Sequence, residues 1–166
     1  ELLLLWLIHD GLTVRALLER ITASPGNDTY VIAKNAALRR PGLQSLLDDM
    51  VLPPELFGPA PSPTRMGLWI GPAGTHTPLH HDTDDSMFCQ VLGRKRFRLA
   101  PPESIALLDR SRGVYSRWDP TSEAELHEGP VRLLELVLAP GEALFIPAGW
   151  WHQVDALDPS ISVSIL

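Results

Sequence analysis

Apolar and polar residues follow different patterns in two parts of the chain. From Met66 onward, short apolar runs are separated by turns that contain Gly and Pro, a pattern that predicts strands. We predict these strands at residues 68–70, 74–82, 87–92, 94–99, 131–138, 143–146, 150–154 and 161–166. Short strands with turns at regular intervals indicate a mainly β sandwich or barrel.

The part of the chain before Met66 shows helical periodicity in two places. Thr13 can cap a helix over residues 14–21, and residues 43–50 favour a second short helix after a Pro-Gly pair. Residues 30–33, between them, are β-prone. The chain has 166 residues, so we expect one domain, in which residues 1–65 pack on a barrel formed by residues 66–166.

Residues 2–8 form an apolar run that is similar to the core of a signal peptide. The run has no basic residues before it and no small-residue cleavage site after it. It is also too short to span a membrane. We therefore expect a buried segment and no membrane association. The chain begins with Glu1 rather than Met, and we expect it to be a fragment of a longer protein.

Composition and charge narrow the classes of function. The formal net charge is −6 and no long basic run is present, so binding to a nucleic-acid backbone has no support. Cys89 is the single cysteine, which excludes an internal disulfide framework and fits a reducing cytosol. We therefore predict a cytoplasmic protein.

The strand predicted at residues 94–99 carries an unusual lysine. Three arginines share one face of this strand, whereas Lys95 shares the apolar face with Phe97 and Leu99. A buried lysine is costly unless it meets an anion. A lysine that extends to solvent from a strand end would give the same pattern, and the alternation leaves both interpretations open.

The residues best suited to metal chemistry lie between positions 74 and 82. In an extended strand, His80 and Asp82 point to one face and His81 to the other. An imidazole and a carboxylate side by side are two of the three ligands in the 2-His-1-carboxylate triad of non-haem Fe(II) oxygenases. The best candidate for the third ligand is His152, which follows a Pro-Ala-Gly-Trp-Trp segment.

Two other interpretations compete for this stretch. One is a histidine-rich surface turn without a metal. The other is a helical metalloprotease-type pair, because His76 and His80 are four residues apart. Pro78 argues against a helix there, and no Glu follows His76.

Residues 68–102 and 140–152 together resemble the JmjC and cupin-like oxygenases that depend on Fe(II) and 2-oxoglutarate. The narrower resemblance is to the cupin-8 group, which includes the asparaginyl hydroxylase that inhibits hypoxia-inducible factor. It covers about residues 30–166. The resemblance implies a double-stranded β-helix with N-terminal helices and a metal in the barrel mouth. It also implies a dioxygenase that uses Fe(II), 2-oxoglutarate and O₂, assisted by ascorbate, and hydroxylates a protein or peptide side chain.

The resemblance assigns roles to individual residues. His80, Asp82 and His152 match the three metal ligands of the family. Lys95 matches the lysine that pairs with the far carboxylate of 2-oxoglutarate, which would meet the charge of an inward lysine. Thr77 matches a hydroxyl that hydrogen-bonds the same carboxylate.

Three further positions match the family less closely. Tyr30 resembles a tyrosine that contacts the cosubstrate, although a core tyrosine would fit the sequence as well. Ser86 and Ser164 stand where many relatives have Asn. Serine can still hydrogen-bond a carboxylate, but its side chain is shorter, so these departures bear on the substrate more than on the metal. Trp69 is a candidate for lining a substrate groove.

Several alternatives for the function stay open. A metal-binding cupin without oxygenase activity, such as an isomerase or a small-ligand binding module, would surround its metal with more His and a Glu. A demethylase or an RNA hydroxylase of the same family would keep the triad. We expect residues 109–129 to form a long loop with scattered strand that frames the substrate entrance. Relatives often form homodimers through helices after the barrel, and such helices would lie beyond Leu166.

Overall fold

The structure is a computed structural model that describes residues 13–32, 37–57, 62–108 and 110–166. These ranges contain ten strands in two antiparallel sheets, and the predicted mainly β barrel, a double-stranded β-helix, is confirmed. The strands are β1 Met66–Gly71, β2 His76–His81, β3 Ser86–Leu92, β4 Lys95–Ala100, β5 Arg110–Arg112, β6 Tyr115–Ser116, β7 Leu134–Leu138, β8 Ala143–Ile146, β9 Trp151–Ala156 and β10 Ser160–Ile165.

The two sheets enclose one apolar interior. The smaller sheet has the strand order β1-β10-β3-β8, and the larger has the order β5-β6-β2-β9-β4-β7. Because side chains alternate between the faces of a strand, every second residue of these strands points between the sheets. The buried residues of this interior are Phe88, Phe97, Leu99, Leu138, Ile146 and Val154.

The segments before β1 pack on the outer side of the smaller sheet. Helix α1 spans Val14–Ala23, and the side chain of Thr13 accepts a hydrogen bond from the Ala16 amide, so the predicted cap is confirmed. Leu17 and Ile21 are buried against β1 and β10, whereas the outer apolar positions of the helix stay exposed. The helix predicted at residues 43–50 is a 3₁₀ helix, Gln44–Asp49. Of the β-prone residues 30–33, Val31 forms one bridge to Ile70.

The stretch predicted as a loop over residues 109–129 contains more regular structure than expected. It holds β5, β6 and the helix α4, Glu123–Glu128. The two short helices that come earlier in the chain are α2, Pro54–Phe57, and α3, Ile105–Leu108. Ser122 accepts from the Glu125 amide, and the Glu125 carboxylate accepts from the Ser122 amide, which forms a capping box. The apolar pattern missed α4 because the helix is short and none of its residues is buried.

The expectation that residues 2–8 form a buried segment is not tested, because residues 1–12 lie outside the described ranges. The division of the domain at residue 65 stays a prediction. Among the helices that the structure describes, none is both long and apolar enough to cross a membrane.

A β-bulge in β2 determines which side chains enter the barrel. Thr77 lies opposite Val154, and His80 lies opposite His152, so three steps along β2 match two steps along β9. Strict alternation would send Thr77 and His80 to opposite faces, because they are three residues apart. The extra residue, at Pro78 and Leu79, turns both side chains to the interior.

Candidate metal centre

The structure brings His80, Asp82 and His152 together at one end of the barrel. One ligand atom from each lies within 4.8 Å of the others, and His152 Nε2 is 3.7 Å from Asp82 Oδ2. The rings of His80 and His152 face each other across the β2–β9 pair with 4.1 Å between centroids. The Gly149 amide donates to the Asp82 carbonyl over 2.9 Å, which joins the turn before β9 to the end of β2. Two stretches about 70 positions apart in sequence therefore form one site.

Both imidazoles are held by their Nδ1 atoms, which leaves Nε2 facing the site. His80 Nδ1 donates to the Pro78 carbonyl over 2.7 Å, and His152 Nδ1 donates to the Trp150 carbonyl over 3.0 Å. Such bonds fix the tautomer and the ring orientation of metal-ligating histidines. Burial lowers the pKa of both rings, and the neighbouring His80 lowers that of His152 further. Both rings are therefore neutral at pH 7, the form that binds a metal.

Lys95 points into the barrel and does not reach solvent. Its side chain is 1% exposed, and its Nζ has no hydrogen-bond partner among the described residues. The rings of Phe88, Tyr30 and Trp69 surround the ammonium at 5.1, 5.7 and 5.9 Å from their centroids. Burial lowers the pKa of Lys95 to about 7. The interpretation that Lys95 extends to solvent from the strand end is therefore wrong. The other interpretation, an inward lysine that needs an anion, remains a prediction.

The other residues predicted for the cosubstrate line the same part of the interior. Tyr30 Oη lies 3.5 Å from Thr77 Oγ1, and burial raises the pKa of Tyr30 to about 12, so the phenol stays protonated. Trp69 Nε1 donates to Ser164 Oγ over 2.9 Å. Trp69 thus belongs, with Tyr30 and Phe88, to the rings around Lys95, here called the lysine pocket, and its predicted place in a substrate groove stays a prediction.

Ser86 is placed with these residues by strand geometry alone. It is buried at the start of β3, two positions before Phe88, so both face the interior. Strand alternation places Phe88 on the same face as Ser86, a signal that is present in the sequence, but Phe88 is not among the predicted site residues. Tyr115, in β6, was also missed; its ring lies 5.5 Å from that of His80.

His76 lies outside the barrel interior, in a network of charged groups that the sequence did not predict. It is the first residue of β2, so the helical pairing of His76 with His80 is wrong. His76 Nε2 is 2.9 Å from an oxygen of Asp119, and Nδ1 is 2.7 Å from an oxygen of Asp155. Hydrogen bonds to Asp119 and then to Asp155 raise the pKa of His76 to about 9, against the opposing effect of burial.

We expect His76 to make stability depend on pH. Its folded pKa lies above the ordinary histidine value of 6.5, so its contribution is complete below pH 6.5 and is lost as the pH rises through about 9. The free energy of unfolding of wild type relative to His76→Gln should fall by about 2 kcal/mol between about pH 6 and pH 10. Urea denaturation of both proteins measures this difference. Lys95 is present in both and cancels, and a difference independent of pH would contradict the prediction.

A double-stranded β-helix with an inward His, Asp and His at one end is a cupin-type barrel with a candidate metal centre. The family model described as "Cupin-like domain" matches residues 11–165, and the chain belongs to this family.

Curated relatives share this domain within longer proteins. The chain is 34% identical over 168 residues to "Lysine-specific demethylase JMJ30" of Arabidopsis thaliana, covering 94% of this chain and 38% of that protein. It is 35% identical to "Jumonji C domain-containing protein 5" of Drosophila melanogaster, covering 63% of this chain and 28% of that protein. A solved structure of the Escherichia coli ribosomal oxygenase YcfD with cobalt and 2-oxoglutarate aligns with 60% of this chain and 22% of that chain, at 21% identity and a TM-score of 0.41. The chain thus spans well under half the length of the curated relatives it matches.

Proposed function

We propose that this domain is an Fe(II)- and 2-oxoglutarate-dependent dioxygenase that hydroxylates a protein or peptide side chain. The observation that carries the proposal is a pair of features in one barrel. His80, Asp82 and His152 present two neutral imidazoles and a carboxylate, the donor set of non-haem Fe(II) enzymes. Lys95 presents a buried Nζ in the same interior, with no hydrogen-bond partner in the part of the chain that the structure describes, which suits an anionic cosubstrate.

Different residues of the chain would bind the metal and orient its ligands. His80, Asp82 and His152 would hold the iron, and the carbonyls of Pro78 and Trp150 keep the imidazoles oriented. Iron, 2-oxoglutarate and O₂ would supply the oxidising power that inserts oxygen into a substrate C–H bond, with succinate and CO₂ as the other products.

The lysine pocket would orient the cosubstrate. The Lys95 ammonium would pair with the far carboxylate of 2-oxoglutarate, and the hydroxyls of Thr77 and Tyr30 are close enough to each other to donate to the same group. Ser86 and Ser164 are buried hydroxyls in the same interior. The rings of Trp69 and Phe88 exclude water from the ion pair, which strengthens it.

A demethylase of the same family is the second candidate, supported by the name of the Arabidopsis thaliana relative. The acidic balance of the chain and the exposed Asp84 and Asp85 near Asp82 favour a basic peptide over an RNA substrate. A metal-binding cupin that takes no anionic ligand would leave Lys95 without a partner among the residues that the structure describes. The cytoplasmic location and a homodimer formed by segments outside this chain stay predictions.

Three measurements test the proposal. Calorimetry with Mn(II) or anaerobic Fe(II) should show 2-oxoglutarate binding, and succinate should be released in the presence of O₂, ascorbate and a substrate. Mass spectrometry of peptides from a lysate treated with the enzyme should show the gain of one oxygen. Loss of a methylene group instead would favour the demethylase, and metal binding without any affinity for 2-oxoglutarate would favour the binding module.

A further inference from the structure

The bulge that turns His80 inward leaves one backbone amide without a strand partner. At the bulge, Pro78 has no N–H, and the Leu79 N–H donates over 2.8 Å to a carboxylate oxygen of Asp119. Asp119 lies 40 positions later, in the segment between β6 and α4. A buried amide without an acceptor is costly, so this carboxylate stabilises the bulged conformation over a regular strand.

Asp119 is itself held on three sides. The same oxygen, Oδ1, accepts from Gln153 Nε2 over 2.7 Å, and Oδ2 lies 2.9 Å from His76 Nε2. Burial alone would raise the pKa of Asp119, but hydrogen bonds from His76, Gln153 and the Leu79 amide outweigh it and lower the pKa. The group is therefore an ionised acceptor with little freedom to move.

The Gln153 contact links Asp119 to the second histidine strand. Gln153 follows His152 in β9 and is fully buried, with its side chain on the opposite face of the sheet. Its Oε1 accepts from Arg98 over 2.9 Å, and Arg98 also donates to Asp155 and Glu135. One network behind the sheet thus holds β2 at its bulge and β9 beside His152.

We propose that Asp119 is a positioning residue for the metal centre, which holds the β2 bulge so that His80 faces His152. The inference rests on the proposed metal-binding function. Asp119 does not touch the ligand atoms; it acts through the Leu79 amide and through Gln153. Without the carboxylate, a regular register that sends His80 out of the barrel competes with the native one.

The test uses metal affinity and amide exchange rather than turnover. Asp119→Ala should weaken Co(II) binding to the metal-free protein by about 10- to 100-fold, the usual loss when a partner that orients metal ligands is removed. Hydrogen exchange at the Leu79 amide of the metal-free protein should become faster. The Co(II) absorption spectrum should also change, because His80 is no longer held in one position.

Three further variants give the test its controls. Asp119→Asn keeps an oxygen for the Leu79 amide and should restore most of the affinity. Glu142→Ala removes a carboxylate that accepts the Ala139 amide over 2.7 Å, far from the ligands, and should leave Co(II) binding unchanged. Val163→Ala, in the core under α1, should lower the melting temperature without weakening metal binding.

The outcomes separate this inference from the proposed function. If Asp119→Ala has the same Co(II) affinity and the same Leu79 exchange rate as wild type, the positioning role is overturned. The proposed metal site would still stand in that case, provided that Co(II) binding depends on Asp82. If Val163→Ala loses as much Co(II) affinity as Asp119→Ala, the effect is due to lower stability alone, and the positioning role is again overturned. Wild-type protein that binds no Co(II) would overturn both. If Asp119→Ala does not fold, Co(II) affinity and Leu79 amide exchange are measured on Asp119→Asn instead. If the Leu79 amide of that variant exchanges as fast as in unfolded protein while Co(II) affinity is unchanged, the positioning role is overturned.

Discussion

Asp82→Ala is expected to abolish metal-dependent succinate release. Asp82 supplies the single carboxylate of the three-residue group, and its loss leaves two neutral imidazoles to hold a dication. A carboxylate also offsets the charge of the metal, so the substitution removes both a ligand atom and the electrostatic attraction. We expect no measurable turnover of 2-oxoglutarate and a large loss of Co(II) affinity, measured by succinate assay and by calorimetry.

Asp84→Ala is the matched control for this experiment. Asp84 is exposed two residues further along the same loop and lies outside the group of three. Its replacement removes the same charge and should leave both metal affinity and turnover close to wild type. Turnover that survives in Asp82→Ala would remove the oxygenase assignment.

Lys95→Met should have opposite effects on the cosubstrate and on the free protein. Removal of one partner of a buried charge pair typically costs 2 to 5 kcal/mol, so 2-oxoglutarate should bind at least about 30-fold more weakly. In the absence of 2-oxoglutarate, Lys95 is a buried amine without a hydrogen-bond partner among the described residues. A methionine of similar length would fill the same space without that desolvation cost, and the melting temperature should rise.

The pH dependence of this stability gain follows from the pKa of Lys95. Burial lowers that pKa to about 7 from the ordinary lysine value of 10.5, so the unfolded chain binds more protons than the folded one between these values. The cost of burying the ammonium is complete below about pH 7 and disappears as the pH rises toward 10.5. The advantage of Lys95→Met should therefore shrink over this range.

Arg94→Met controls for the loss of a positive charge next to the pocket. Arg94 precedes Lys95, but its guanidinium is on the surface and pairs with Asp158 over 2.7 Å. The Arg94→Met variant should bind 2-oxoglutarate as tightly as wild type and should not be more stable than wild type. Thermal denaturation and calorimetry of the two variants measure both effects. An unchanged affinity in Lys95→Met would show that the cosubstrate does not use this lysine.

Local sequence patterns predicted much of the site because they follow from short-range geometry. Strict alternation in residues 94–99 placed Lys95 on the inner face, and the structure has it there. The Thr13 cap and the short spacing of strands and turns likewise depend on neighbours in sequence. The motif resemblance supplied His152, which no local pattern could pair with His80.

Other features required knowledge of which strands are neighbours. A bulge is a mismatch between two strands, so β2 alone does not reveal that Thr77 and His80 share a face. Arg98 was expected on an outer face by alternation, but its burial depends on Gln153, Asp155 and Glu135 from two other strands. Nothing around Asp119 in the sequence indicates an acceptor for the Leu79 amide.

The sequence by itself determined the strand-rich domain, the inner-face position of Lys95 and, through the motif resemblance, the three candidate ligands, because side-chain alternation and sequence motifs are local properties. Only the tertiary structure decided that the Leu79 bulge turns His80 toward His152 and that Asp119 supports this arrangement. The physical reason is that backbone register is fixed by hydrogen bonds between strands, and the β9 residues that pair with β2 lie 70 or more positions further along the chain.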